Sequence, residues 1–226
     1  MQLTGSERLA SGLACAFARP SGLVAPERHL DPTLLARLGN GKVGRRATDH
    51  SLRAALGFDS ASFGPGFRER LSTDDGCALA CRMALAAHPQ ALTVLRHLIA
   101  NINQLRLRAA LLKADRQLYR EMLGEDAMDA ALRPAPALAS LAGLADASLP
   151  VLRPASTDAA FVPLEEQPLL AQAVAVIGAL LAAQDPLLGR LWDARKFAAR
   201  QPALCVDLTP AQTRAALRLL DMRLSA

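Results

Sequence analysis

At 226 residues and 51% hydrophobic, the chain carries enough apolar material for one large core or two small ones, which excludes disorder as its default state. Aromatics make up only 4%, so alanine and leucine dominate; both lose little freedom in a helix, and the expected fold class is all-α. The net charge of +5 is carried by arginine, with only Lys42, Lys113 and Lys196 among 26 basic residues; it is modest for a nucleic-acid or membrane binder and suits an acidic protein partner.

Thr4 and Glu7, three apart, form a capping-box pattern that opens a first helix to about Ala18, ended by Pro20 and Gly22. Its apolar run from Leu9 to Phe17 follows Glu7 and Arg8 and is short for a secretion signal. Asp31 before Pro32 starts a short helix that stops near Gly39, because the carboxylate caps free N–H groups and proline's fixed φ suits a first turn. Residues 40–66 read as mainly connector, with one helix around Ser51 to Leu56 and Phe58, Phe63 and Phe67 as anchors to the core. Thr73 is then expected to cap a helix with Asp74 and Asp75 in its first turn, running to about His88, where Pro89 interrupts.

From Gln90 to Leu123 apolar residues recur at Leu95, Leu98, Ile102, Leu105, Ala109, Leu112, Tyr119 and Met122, a three-and-four spacing that predicts the central helical element. Asn101 and Asn103 are its expected break, since their side chains compete for backbone hydrogen bonds. Gly124 ends it, and Glu125 to Arg133 forms the next helix. Prolines at 134, 136, 150, 154, 163 and 168 then forbid a continuous helix and predict a long connector. Beyond it the spacing predicts a buried apolar helix from Leu169 to Ala183, too short to span a bilayer. An amphipathic helix from Pro186 to about Arg200, a short strand over Leu204 to Leu208, and a last helix from Thr209 and Pro210 to Leu224 complete the chain. The expected organisation is a single irregular helical domain over 1–226, divisible into a core region (1–133), a proline-rich connector (134–168) and C-terminal helices packing on that core (169–226).

No catalytic pattern emerges. Four cysteines, Cys15, Cys77, Cys81 and Cys205, are too irregular for a disulfide framework and suit a reducing cytosol. Cys77, Cys81 and His88 share a helical face by spacing, but ligands spread over so much helix do not converge on one tetrahedral ion. Asp49, His50 and Ser51 are the residue types of a hydrolytic triad, yet consecutive side chains point apart and no nucleophile elbow is present. Gly39, Gly41, Lys42 and Gly44 lack the spacing of a phosphate loop, and paired carboxylates at Glu125 and Asp126, or Glu165 and Glu166, read as helix starts and solvated loops. No cofactor and no metal is expected.

The strongest charge feature lies between Leu95 and Arg120, where Arg96, Arg106, Arg108, Lys113, Arg116 and Arg120 face only Asp115. Arg106, Lys113 and Arg120 follow a seven-residue spacing opposite Leu105, Ala109 and Leu112, which makes them candidate partner-docking residues. Base readers usually add aromatics or an embedded turn motif, both missing here, so a protein-docking face is favoured over nucleic acid.

A further pattern is the succession Arg28, His29, Leu30, Asp31, Pro32 and Leu34, then Phe58, Asp59 and Phe63, then the Leu-Ala-rich stretch from Gly76 to His88. Basic helices follow, then Leu123 to Ala127 and Ala131 to Arg133. Over about half its length the chain thereby resembles the K component of bacterial type III secretion systems, the SctK family that includes YscK and PscK. The resemblance implies a non-enzymatic cytoplasmic adaptor of the sorting platform, held at the inner membrane only through partners. Those partners would be the cytoplasmic domain of the inner-membrane ring protein and the pod protein below the export apparatus. The alternatives are a basic helical nucleic-acid binder and a small helical enzyme with a dispersed site.

Overall fold

The computed structural model describes residues 4–39, 41–58, 65–110, 113–133, 135–144, 168–195 and 206–225, with backbone alone at 65, 113, 114 and 168. The fold is all-α. The chain divides into two compact units, one of Met1–Ala86 with Leu181–Lys196, the other of Ala87–Leu180 with Phe197–Ala226. Both therefore draw on both halves of the sequence.

In the first unit, α1 (Gly5–Ala18) begins with the Thr4–Glu7 capping box, and hydrogen bonds from Thr4 hold the Glu7 carboxyl below its ordinary range. A 3-10 turn (Pro20–Gly22) and the one-turn α2 (Pro26–His29) lead to α3 (Pro32–Leu38), whose N–H groups at Thr33 and Leu34 donate to Asp31. What the sequence read as connector is largely helix: α4 spans Lys42–Leu56. Its inward stripe is Gly44, Thr48 and Leu52, one residue per turn, with Thr48 donating its hydroxyl to the Gly44 carbonyl. Gly57, at φ 63°, closes the helix in the left-handed conformation that glycine tolerates.

Two further helices follow, α5 (Pro65–Thr73) and α6 (Asp75–Leu85). Thr73 is the last residue of α5, its hydroxyl bonded back to Glu69; the cap of α6 is Asp74, which accepts from Gly76 and Cys77. The core of this unit gathers Leu13, Phe17, Leu52, Phe58, Phe67, Leu71 and Met83. Phe17 and Phe58 pack with ring centroids 4.3 Å apart and their planes tilted by 53°. Phe63 lies outside the described residues. The unit is completed by α12 (Pro186–Asp193), capped by Asp185, which brings Leu188, Leu191 and Trp192 against α6. It stops at Asp193, short of Arg200, because Arg195 turns into a bridge with Val24 and sends its side chain to the end of α6.

The second unit is built around α7 (His88–Ile102), which Pro89 opens rather than interrupts. Residues 97–104 are all buried. Around α7 pack α8 (Gln104–Ala109), α9 (Lys113–Leu123), α10 (Glu125–Leu132), a nine-residue 3-10 helix (Pro136–Leu144) and α13 (Pro210–Leu224). The 3-10 helix is long for its type, and its inward residues explain it: Leu138, Leu141 and Leu144 recur every third position, the period of that helix. It occupies the start of the expected proline-rich connector; 145–167, with Glu165 and Glu166, lie outside the described residues.

Helix α11 (Pro168–Gln184) has no exposed side chain from Leu169 to Leu181, as an all-round apolar helix requires. No helix among the described residues is long and apolar enough to cross a membrane. The expected strand does not form over 206–208, which are irregular, and Leu204 and Cys205 are outside the described residues. Thr209 caps α13 with Gln212 as its box partner and Pro210 in the first turn.

Candidate docking surface

The basic central stretch is three helices: the expected break falls at Asn103, and α8 and α9 are separate as well. Asn103 bends the chain out of α7 and donates its Nδ2 to the Ile99 carbonyl at 2.9 Å, while Asn101 does the same to His97 at 2.8 Å. The break shifts the register of α8 against that of α7. Leu105, expected on the buried stripe, is 66% exposed, and Leu107 and Gln104 face the core instead. Ala109 is exposed as well, and Leu112 lies outside the described residues. Tyr119 and Met122 are buried as their spacing implied.

The three spaced cations therefore do not share one continuous helix face. Arg106 sits half-buried on α8; burial first and then Asp115 push the Tyr119 phenol up, against the smaller opposing effect of the Arg106 charge. Lys113 begins α9, its side chain outside the described residues, and Arg120 is exposed one turn before the end of that helix. Arg108 and Arg116 are also exposed. Arg116 donates its Nε to the Ala110 carbonyl at 2.7 Å, fastening the α8–α9 connection. On α9 the carboxylate of Glu121 accepts from Gln117 at 2.9 Å, and on α10 Asp129 pairs with Arg133 at 3.2 Å. Glu125 and Asp126 occupy the exposed first turn of α10, beside the positive end of that helix.

The other sequence candidates are dispersed. Cys77 and Cys81 are buried on α6, where burial and the neighbouring Cys77 push the Cys81 thiol well up, and His88 is exposed on a different helix. Among the described residues no three metal-ligating side chains cluster. Asp49 accepts from the Ser21 N–H at 3.0 Å, while His50 leans toward Arg53 at 3.5 Å, so the Asp-His-Ser run serves local structure. Gly44 lies against the carbonyls of Leu38 and Gly39, which makes the glycine cluster a tight helix-to-helix turn.

Two buried polar groups carried no sequence signal. Arg195, 3% exposed, donates Nη1 to the carbonyls of Met83 and Ala84 and Nη2 to that of Ala86, with its guanidinium 5.4 Å from the Trp192 ring centre. It neutralises the negative end of α6, and burial draws its pKa down to about 10. Arg28 and His29 reach the carbonyls of Arg195 and Ala194, both at 3.4 Å, and hold the same turn from α2. In the second unit His97, 2% exposed, bonds through Nδ1 to the Thr93 carbonyl at 2.9 Å. Its Nε2 and the Oδ1 of Asn101 are buried without a hydrogen-bond partner among the described residues. Burial lowers the His97 pKa, and the charge of Arg223 adds to that.

Comparison with protein-family models, curated proteins and solved structures found no match to the chain.

Proposed function

We propose that the chain is a non-enzymatic cytoplasmic adaptor of a bacterial type III secretion apparatus, joining the cytoplasmic domain of the inner-membrane ring protein to the pod protein of the sorting platform. The observation that carries the docking part of this reading is the exposed Leu105 on α8, next in sequence to Arg106 and close to the exposed Arg108, with Arg116 and Arg120 exposed on the following helix, α9. An aliphatic side chain left in water beside cations is what a partner with an apolar contact and a carboxylate rim would cover. The resemblance carried by Arg28 to Pro32 with Leu34, by Phe58, Asp59 and Phe63, by Gly76 to His88, and by Leu123 to Ala127 with Ala131 to Arg133 supports the choice of apparatus.

The test is co-purification of the full chain with each of the two partners, comparing wild type with Arg108→Glu combined with Arg120→Glu. Both side chains are exposed, so helicity by circular dichroism should stay unchanged while retention of at least one partner falls about tenfold or more. Undiminished retention of both partners would remove this face. Binding to duplex DNA that weakens steeply with salt would favour the nucleic-acid alternative instead.

A further inference from the structure

The turn between α3 and α4 is a second basic surface, separate from the adaptor reading and independent of it. Between Arg37 and Arg46 the sequence places four cations, Arg37, Lys42, Arg45 and Arg46, and no carboxylate. All four are exposed. Among them stands Val43, 82% exposed, and one helical turn back from Leu38 stands Leu34, 37% exposed. On these two helices Asp31 accepts from Thr33 and Leu34, and Asp49 accepts from Ser21.

The geometry of the turn holds this arrangement firmly. Gly44 packs so closely on the Leu38 and Gly39 carbonyls that no side chain fits there, and Gly39 takes φ 66° to bring the chain round. Lys42, Val43, Arg45 and Arg46 are thus presented from a fixed first turn of α4, whose cap, Gly41, supplies no side-chain acceptor.

We infer that the α3–α4 turn docks onto an anionic lipid surface, with Val43 entering the headgroup layer and Arg37, Lys42 and Arg46 bound to lipid phosphates. The chemistry selects this occupant. A protein partner is usually gripped by a larger apolar centre with aromatic anchors, and among the described residues of α3 and the start of α4 the exposed large apolar side chains are Leu34 and Val43, neither of them aromatic. Single-stranded nucleic acid would call for stacking rings, and duplex phosphates gain nothing from an exposed valine. A lipid surface needs only a cluster of cations and a shallow apolar contact.

The experiment is sedimentation of the full chain with vesicles of phosphatidylcholine alone and of an equal mixture with phosphatidylglycerol. Binding is expected to the mixed vesicles and not to phosphatidylcholine. Arg37→Glu, Lys42→Glu and Arg46→Glu together should weaken it on the order of a hundredfold. Val43→Asp alone should weaken it severalfold, because it removes the apolar contact and adds repulsion. Since Val43 is exposed, an unchanged melting temperature shows that the variant is folded. Excess glycerol phosphate should leave vesicle binding intact, separating a lipid surface from capture of free phosphate. The α8–α9 variant, Arg108→Glu with Arg120→Glu, should bind vesicles like wild type, so failure here and failure of the adaptor reading are distinguishable. The inference is overturned by absence of binding to mixed vesicles, by equal binding of the Val43→Asp variant, or by loss of binding in the α8–α9 variant as large as in the α3–α4 one.

Discussion

A buried arginine aimed at main-chain carbonyls is a stronger commitment than an arginine on the surface, because those carbonyls cannot turn to water when it is removed. Replacing Arg195 with methionine keeps the stem against Trp192 but leaves the Ala84 and Ala86 carbonyls without their donor. Denaturant titration followed by Trp192 fluorescence should show a loss of about 2–4 kcal/mol. His97 makes the complementary case. Its pKa in the folded chain lies below the ordinary value of 6.5, so the unfolded chain binds the extra proton first as pH falls. Stability from this group is full above about pH 6.5 and is lost as pH falls from there through the lower folded value, by roughly 1.4 kcal/mol per pH unit at most. His97→Gln should flatten that decline between neutral and mildly acidic pH; an unchanged slope would refute the assignment. Neither residue announces itself in the sequence, since Arg195 acts on carbonyls about a hundred positions away, a distance no local pattern encodes.

The legible elements are those whose ends are written in local chemistry. Thr4 with Glu7, Asp31 with Pro32, and Thr209 with Pro210 each satisfy free N–H groups within three residues, so the sequence suffices. Helix α4 escapes such a reading for a physical reason: its inward stripe is glycine, threonine and leucine, and a count of large apolar residues does not register Gly44 or Thr48 as core. Thr73 and Asp74 are both good caps, and only the back-bond of Thr73 to Glu69 decides between them. Period also misleads, because Leu138, Leu141 and Leu144 repeat every three residues rather than 3.6. Leu141 is fully buried, and Leu141→Ala should cost about 2–4 kcal/mol by thermal or denaturant unfolding, with destabilisation under about 1 kcal/mol arguing against the 3-10 register. Gly44→Ala should cost on the order of 2 kcal/mol, since the new methyl group overlaps two backbone carbonyls that have no side-chain freedom to yield.

On the scale of the whole molecule, the two units predict where that last change will be felt. Hydrogen exchange of the Gly44→Ala variant should quicken in α1 to α6 and α12, while α7 to α10 and α13 keep their protection. Uniform acceleration throughout would mean that the units unfold as one. The candidate docking surface is legible only as composition: the excess of cations between Leu95 and Arg120 is plain in the sequence, but their grouping depends on the break at Asn103, which places Leu105 outside and Leu107 inside. Arg106 and Arg120 also lie on different helices, so spacing counted from one to the other does not place them on one face.

The bond from Arg195 to the end of α6 also sets a timetable for synthesis. Emerging from the ribosome, the first 86 residues have neither Trp192 nor the donor for the Ala84 and Ala86 carbonyls, and both arrive more than a hundred residues later. The N-terminal portion must therefore wait, with apolar surface uncovered, until those later residues have been made, which leaves it dependent on a chaperone in the meantime.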